Sequence, residues 1–196
     1  MKRAALLAGL VLLPIGWGLS GIGMTGHMAG HMIAVAVSAP LLAYGLSGSS
    51  MDPAHRWPLL ASPMTAMLLE LVTVWTWHLP ALRAAAHGSI LVSGLEHACF
   101  LAAGLFLWTA AIHAPNRASG IGALLLTSMH MTLLGVLIGL APRPLYAGMH
   151  HAPGLDYLSD QQLGGVVMLI VGGVSYLAGG LVLLGALLKE DRSEAA

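Results

Sequence analysis

Six long apolar stretches alternate with short polar breaks along the chain, at about residues 4–22, 28–46, 60–80, 89–112, 119–140 and 163–188. Each reaches the roughly 20 apolar residues that a helix needs to cross a hydrocarbon core about 30 Å thick. The breaks carry turn chemistry: Ser47 to Pro58 reads S-G-S-S-M-D-P-A-H-R-W-P and His113 to Ser119 reads H-A-P-N-R-A-S. The longest break, Ala141 to Gln162, holds Pro142, Pro144, Pro153, Asp156 and Asp160. The pattern predicts an all-α polytopic membrane bundle of about six transmembrane helices, with residues 1–196 as one transmembrane domain. Lys2 and Arg3 ahead of the first stretch also fit a signal peptide. That run is longer than the usual h-region of about 7–15 residues and no clear A-x-A site follows, so a retained helix is expected.

Composition agrees with the pattern and narrows it. Charged residues make up 8% of the 196 positions, against roughly 25% in soluble domains, and mean hydropathy is +0.82. A soluble enzyme, a disordered chain and a nucleic-acid binder built on clustered Lys and Arg are therefore excluded. Eight basic residues balance eight acidic ones. Orientation follows from where the basic residues fall. With both termini in the cytoplasm, Lys2, Arg3, Arg56, Arg117, Lys189 and Arg192 lie inside, and only Arg83 and Arg143 lie outside. The outer face is then the periplasm or cell exterior, and a bacterial inner membrane is the expected location. Gly165, Gly172 and Gly179 recur every seven residues, and Gly135 and Gly139 form G-x-x-x-G. Small residues at such spacing let helix backbones approach closely in lipid.

Against this charge-poor background stand ten histidines and eleven methionines. The topology puts His55 and His113 on the cytoplasmic side and His27, His31, His78, His87, His97, His150 and His151 in the outer half. His130 and Glu70 fall near the midplane, and Glu96 lies beside His97 about one-third of the way down its helix. Ionisable groups inside a bilayer are costly and mark functional candidates. Together they describe a polar funnel opening outward.

The segment Met24 to Met32 is the most informative. His27 and His31 are four apart and share a helix face, as do Met24, Met28 and Met32. Imidazole with thioether suits copper, and thioether favours Cu(I). Two such histidines are equally compatible with snorkelling at the interface, with the methionines as packing. His78 either joins a metal site or ends its helix before Pro80. Glu96 and Glu70 either orient neighbouring imidazoles, Glu70 with His130, or form structural hydrogen bonds between helices. Asp160 is expected to cap the sixth helix, and Arg143 to pair with a carboxylate at the mouth. Cys99 stands alone, excluding disulfide and C-x-x-C chemistry. No G-x-S-x-G, H-E-x-x-H or P-loop signature is present.

These motifs, in this order, resemble the CtaG family of membrane proteins that assist assembly of caa-type cytochrome c oxidase. The matching features are H-M-x-x-H-M from His27 to Met32, Ala39-Pro40-Leu41-Leu42, W-x-W-H-x-P from Trp75 to Pro80 and Glu96-His97-x-x-Phe100. Met129-His130-Met131, Pro142-x-Pro144-x-Tyr146 and Asp160-Gln161-Gln162-x-Gly164-Gly165 complete the set. The resemblance implies an integral membrane assembly factor, not an enzyme, that binds or delivers copper to the oxidase catalytic subunit or works with other assembly factors. It makes His27, His31, His78, His97, Glu96, His130 and Asp160 the positions to test. The expected metal set is His27, His31, His78, His97, His130 and Met28, supported by Glu70, Glu96, Asp160 and Arg143. Cu(I) is the expected metal. The competing readings are a b-type haem electron carrier, a zinc-dependent membrane hydrolase and a metal-free scaffold. Membrane lipid is an expected partner and nucleic acid is not.

Overall fold

A computed structural model describes residues 1–146 and 148–194, with side chains as far as Lys189. All regular structure among them is helical. In chain order the elements are α1 (Lys2–Leu19), α2 (Gly23–Leu46), α3 (Pro53–Arg56), α4 (Pro63–Trp77), α5 (Pro80–Gly88), α6 (Ile90–Ile112), α7 (Arg117–Gly139) and α8 (Tyr157–Glu194). Starts follow local chemistry. Pro53, Pro63 and Pro80 open their helices, where a missing N–H costs nothing. The side chains of Asp52, Ser89, Asn116 and Asp156 accept from first-turn N–H groups as N-caps.

Five helices are long and apolar enough to cross a membrane: α1, α2, α6, α7 and the Tyr157–Lys189 part of α8. The chain is a multi-pass membrane helical bundle. The expected third span at 60–80 is corrected. Only Pro63–Trp77 is helical there, 15 residues or about 22 Å, because Pro63 starts the helix late and the His78–Leu79 break before Pro80 ends it. Pro80, at the end of the expected span, opens α5, a separate helix that packs on α6. Helix α4 still runs between the two ends of the bundle, against α6 and α7. At one end Lys2 Nζ donates to Ser47 O and Ser47 Oγ meets His113 Nε2. Ser20, Gly23, His97 and Asp160 gather at the other end.

The glycine positions do the packing expected of them. A Cβ on Gly165 would lie 2.5 Å from Gly139 N and 2.7 Å from Gly135 O, so α7 and α8 touch backbone to backbone. Two π-helical segments interrupt α2 and α8, at Ile33–Ser38 and Met168–Gly172. The first carries the Val35 carbonyl, which accepts from Trp108 Nε1 at 2.9 Å and lies 3.4 Å from Tyr176 Oη, whose proton goes to Glu70. Helices α2, α6 and α8 thereby meet at mid-depth. The core around them is rich in sulfur: Met28, Met32, Met131 and Met168 are fully buried.

The assignment of Asp160 is also corrected. Asp156 caps α8, accepting from Ser159 N at 2.7 Å. Asp160 lies one turn inside and serves α2 instead. It accepts from Met24 N at 2.6 Å, Thr25 N at 3.0 Å and Ala152 N at 3.2 Å, while its own carbonyl accepts from Thr25 Oγ1. The orphan N–H groups that begin α2 are satisfied by a carboxylate from the other end of the sequence.

Candidate functional site

The first two turns of α2 carry His27 and His31, and small residues around them set the spacing. Gly23 has φ +64°, a left-handed conformation that suits glycine, and a Cβ there would overlap Ala152 N and the Asp160 carboxylate. Gly26 and Gly30 admit the backbone of α1 at Leu19 and Gly16. That approach brings Ser20 and Trp17 over His97, with Ser20 Oγ 3.0 Å from His97 Nε2.

The imidazoles of His27 and His31 stand 4.2 Å apart between centroids and both turn toward α6. Glu96 Oε1 lies 3.3 Å from His27 Nε2 and 3.8 Å from His31 Nε2. One ligand atom from each of the three falls within 4.8 Å of the others, and all three side chains are buried. His31 packs on the Phe100 ring and has no hydrogen-bond partner on either nitrogen. His97 and His78 complete the cluster, their rings 5.2 and 6.4 Å from His31. Both use Nδ1 on a carbonyl one turn back, His97 on Ser93 O at 2.7 Å and His78 on Val74 O at 2.6 Å. Such a bond fixes the tautomer: Nδ1 carries the proton and Nε2 of the neutral ring is left with a lone pair. The Nε2 of His78 points at Met28 Sδ, 3.3 Å away. Tyr146 Oη steadies the turn by donating to His78 O at 2.8 Å. Burial, opposed by the nearby Arg83 charge, pushes the Tyr146 phenol up to about 12, so it stays a donor.

Arg83, counted in the sequence only as one of two outer basic residues, is buried against this cluster with Nη1 3.4 Å from Glu96 Oε2. It takes the role expected of Arg143, which is exposed. The reason is α5: only a helix folded back on α6 brings residue 83 above residue 96. His130 does not join the cluster. It lies deeper, with Nε2 3.4 Å from Glu70 Oε2, and Tyr176 Oη donates to Glu70 Oε1 at 2.5 Å. The Glu70–His130 pairing expected from depth is therefore present, but apart from the His27 group. His87 and His150 face each other at 5.0 Å on the rim, and His151 packs on Tyr157. Burial, His150 and Arg83 together lower the His87 pKa. His55 and His113 flank Asp52 at the opposite end.

Two openings adjoin the cluster. A small one of about 80 Å³ lies under the loop beside Met24, Met149, His150 and Asp160. A larger groove of about 540 Å³ runs between the end of α1 and the α5–α6 corner, with His27 and His97 on its wall. Comparison with known proteins gives one result: the family described as cytochrome c oxidase caa3 assembly factor matches residues 4–190, nearly the whole chain. No curated protein and no solved structure matches the chain.

Proposed function

This chain belongs to the cytochrome c oxidase caa3 assembly factor family, and from that premise we propose that it assists assembly by holding Cu(I) for the oxidase. The cluster of His27, His31, His78, His97 and Met28 is the holding site, and histidines of the oxidase catalytic subunit are the acceptors. Copper is cargo here, moved by exchange of one ligand for another with no change in oxidation state. The working face is the periplasmic or outer face of a bacterial inner membrane, as the distribution of Lys and Arg favours.

The observation that carries this reading is the pairing of His78 Nε2 with Met28 Sδ at 3.3 Å. With the His78 proton committed to Val74 O, two soft lone-pair donors face each other in a buried place. His31, its ring nitrogens unpartnered, lies beside them. Buried polar atoms without partners are rare and costly; a soft monovalent cation satisfies the lone-pair nitrogen of His31. Imidazole and thioether are the donors that Cu(I) prefers, and carbonyls that fix the far nitrogen are the usual support for such ligands. Glu96, balanced by Arg83 and facing His27 and His31, orients those rings.

The test is a Cu(I) competition titration of the purified, full-length protein under anaerobic reducing conditions. One Cu(I) per chain is expected, and the His27→Ala, His31→Ala double variant should bind at least about 100-fold more weakly. Absence of binding, or equal binding by the double variant, overturns the proposal. A Soret band with stoichiometric haem replaces it with the electron-carrier reading. Zinc bound in preference to Cu(I), with metal-dependent turnover, replaces it with the hydrolase reading.

A further inference from the structure

The groove beside the cluster has a chemistry of its own. Its lining presents Arg83, His87, Ser89 and Ser93, and no carboxylate among the described residues. The Arg83 side chain is nine-tenths buried, with Nη1 3.4 Å from Glu96 Oε2 and a buried Nε that has no partner, and it forms part of the groove wall. A guanidinium on a groove wall is the group that recognises a phosphate oxygen. The outer flank is different. Trp17 is half-exposed and Ile90 is 89% exposed, both on apolar helices that present such faces to lipid. The gap persists because α1 packs chiefly along α2 and meets the outer half of α6 at Trp17 over His97. Gly94 leaves it open, with nothing within 4 Å of where its Cβ would be. The volume, about 540 Å³, is that of an ordinary small-ligand site.

A pocket at the end of a bundle that has Arg83 as its one Lys or Arg among the described lining residues and no carboxylate on its wall, with an apolar flank facing the bilayer, fits one kind of occupant. We propose that the groove binds an anionic phospholipid. The phosphate sits against the Arg83 side chain on the groove wall beside Ser89 and Ser93, and the first acyl carbons lie along Trp17, Gly94 and Ile90. Basic recesses between transmembrane helices take lipid headgroups by this combination of charge and apolar contact. Because His27 and His97 form the inner wall of the same groove, the bound lipid closes the side of the histidine cluster that faces the membrane. The proposal does not depend on copper.

The experiment uses the full chain, delipidated in a nonionic detergent, with dioleoyl phosphatidylglycerol, dioleoyl phosphatidylcholine and glycerol phosphate as probes. Thermal unfolding and native mass spectrometry read binding. The expected result is stabilisation by phosphatidylglycerol well above that by phosphatidylcholine, with one phosphatidylglycerol per chain retained. Arg83→Gln should weaken phosphatidylglycerol binding by about tenfold, the loss of one charge-assisted hydrogen bond. Gly94→Phe starts from a Cβ position with nothing within 4 Å and occupies the groove, and should weaken binding while the apo protein unfolds as before; it decides the matter if Arg83→Gln does not fold. Equal response to the two lipids overturns the proposal, as does undiminished binding by Gly94→Phe. Stabilisation by glycerol phosphate equal to that by the lipid overturns it in favour of a free-anion site.

Discussion

Asp160→Asn isolates the contact that holds the histidine-bearing end of α2 in place. In the native protein one carboxylate oxygen accepts from Met24 N and Ala152 N, and the other from Thr25 N. An amide retains one acceptor. With that oxygen kept toward Met24 and Ala152, its NH2 faces Thr25 N–H and leaves a donor without a partner, at about 1–3 kcal/mol. Loss of negative charge at the N-terminus of α2 adds about 1 kcal/mol. The sum, about 2–4 kcal/mol, corresponds to a fall in Tm of about 5–15 °C for a chain of this size. Thermal unfolding in detergent measures it, with Asp156→Asn as control. Asp156 caps α8 at an exposed position where asparagine caps as well as aspartate, so its Tm should not move. The reasoning extends to the site, since His27 lies one turn from Met24. A displaced first turn should weaken Cu(I) binding by about tenfold while His31 remains. An Asp160→Asn protein with unchanged Tm would refute the account of Asp160 as the anchor of α2.

Two further outcomes follow from packing and charge. Gly165→Leu drives a side chain into the backbone of α7 and should destabilise by about 3 kcal/mol or more, whereas Gly185→Leu, with nothing within 4 Å, should be neutral in the same unfolding assay. At the other end of the bundle, burial pushes the Asp52 carboxyl up, but hydrogen bonds from Gly48 and Ala54 N–H, with His113 and His55 nearby, outweigh it and hold the pKa below its usual 3.8. A depressed carboxyl contributes its stability above that usual value and loses it as pH falls through the lowered one. Hydrogen-exchange protection factors in residues 47–56, taken relative to the intrinsic rate at each pH, should therefore be flat from neutral pH down to about 4 and fall below it, and Asp52→Asn should remove that acid transition.

The sequence determined the class of the molecule because the bilayer imposes a one-dimensional rule. Each spanning helix satisfies its own backbone, so length and apolarity alone identify it, and five of the six stretches were legible within a few residues. Heptad glycines announced close helix contacts for the same reason, and the i, i+4 spacing of His27 and His31 put them on one face before any partner was known. Glu70 and His130 could be paired by depth, since rise per residue converts position into height. The third stretch failed because hydropathy does not see where proline stops a helix.

Only tertiary structure decided which polar groups meet across the bundle. Depth places a residue on a level and says nothing of azimuth, so it does not show that His27, His31, His78 and His97 converge, while His130 on its deeper level meets Glu70. Asp160 read as a cap for its own helix; the fold spends it on α2, 136 residues away. Arg83 carried no local signal, being a single arginine in a short helix after Pro80, and becomes part of the site only because α5 folds back over Glu96. The π-helical turn that gives Val35 O to Trp108 likewise has no periodicity of its own to read. Contacts within a helix are fixed by spacing along the chain. Contacts between helices are fixed by rotation and approach, which the packing of the whole bundle sets.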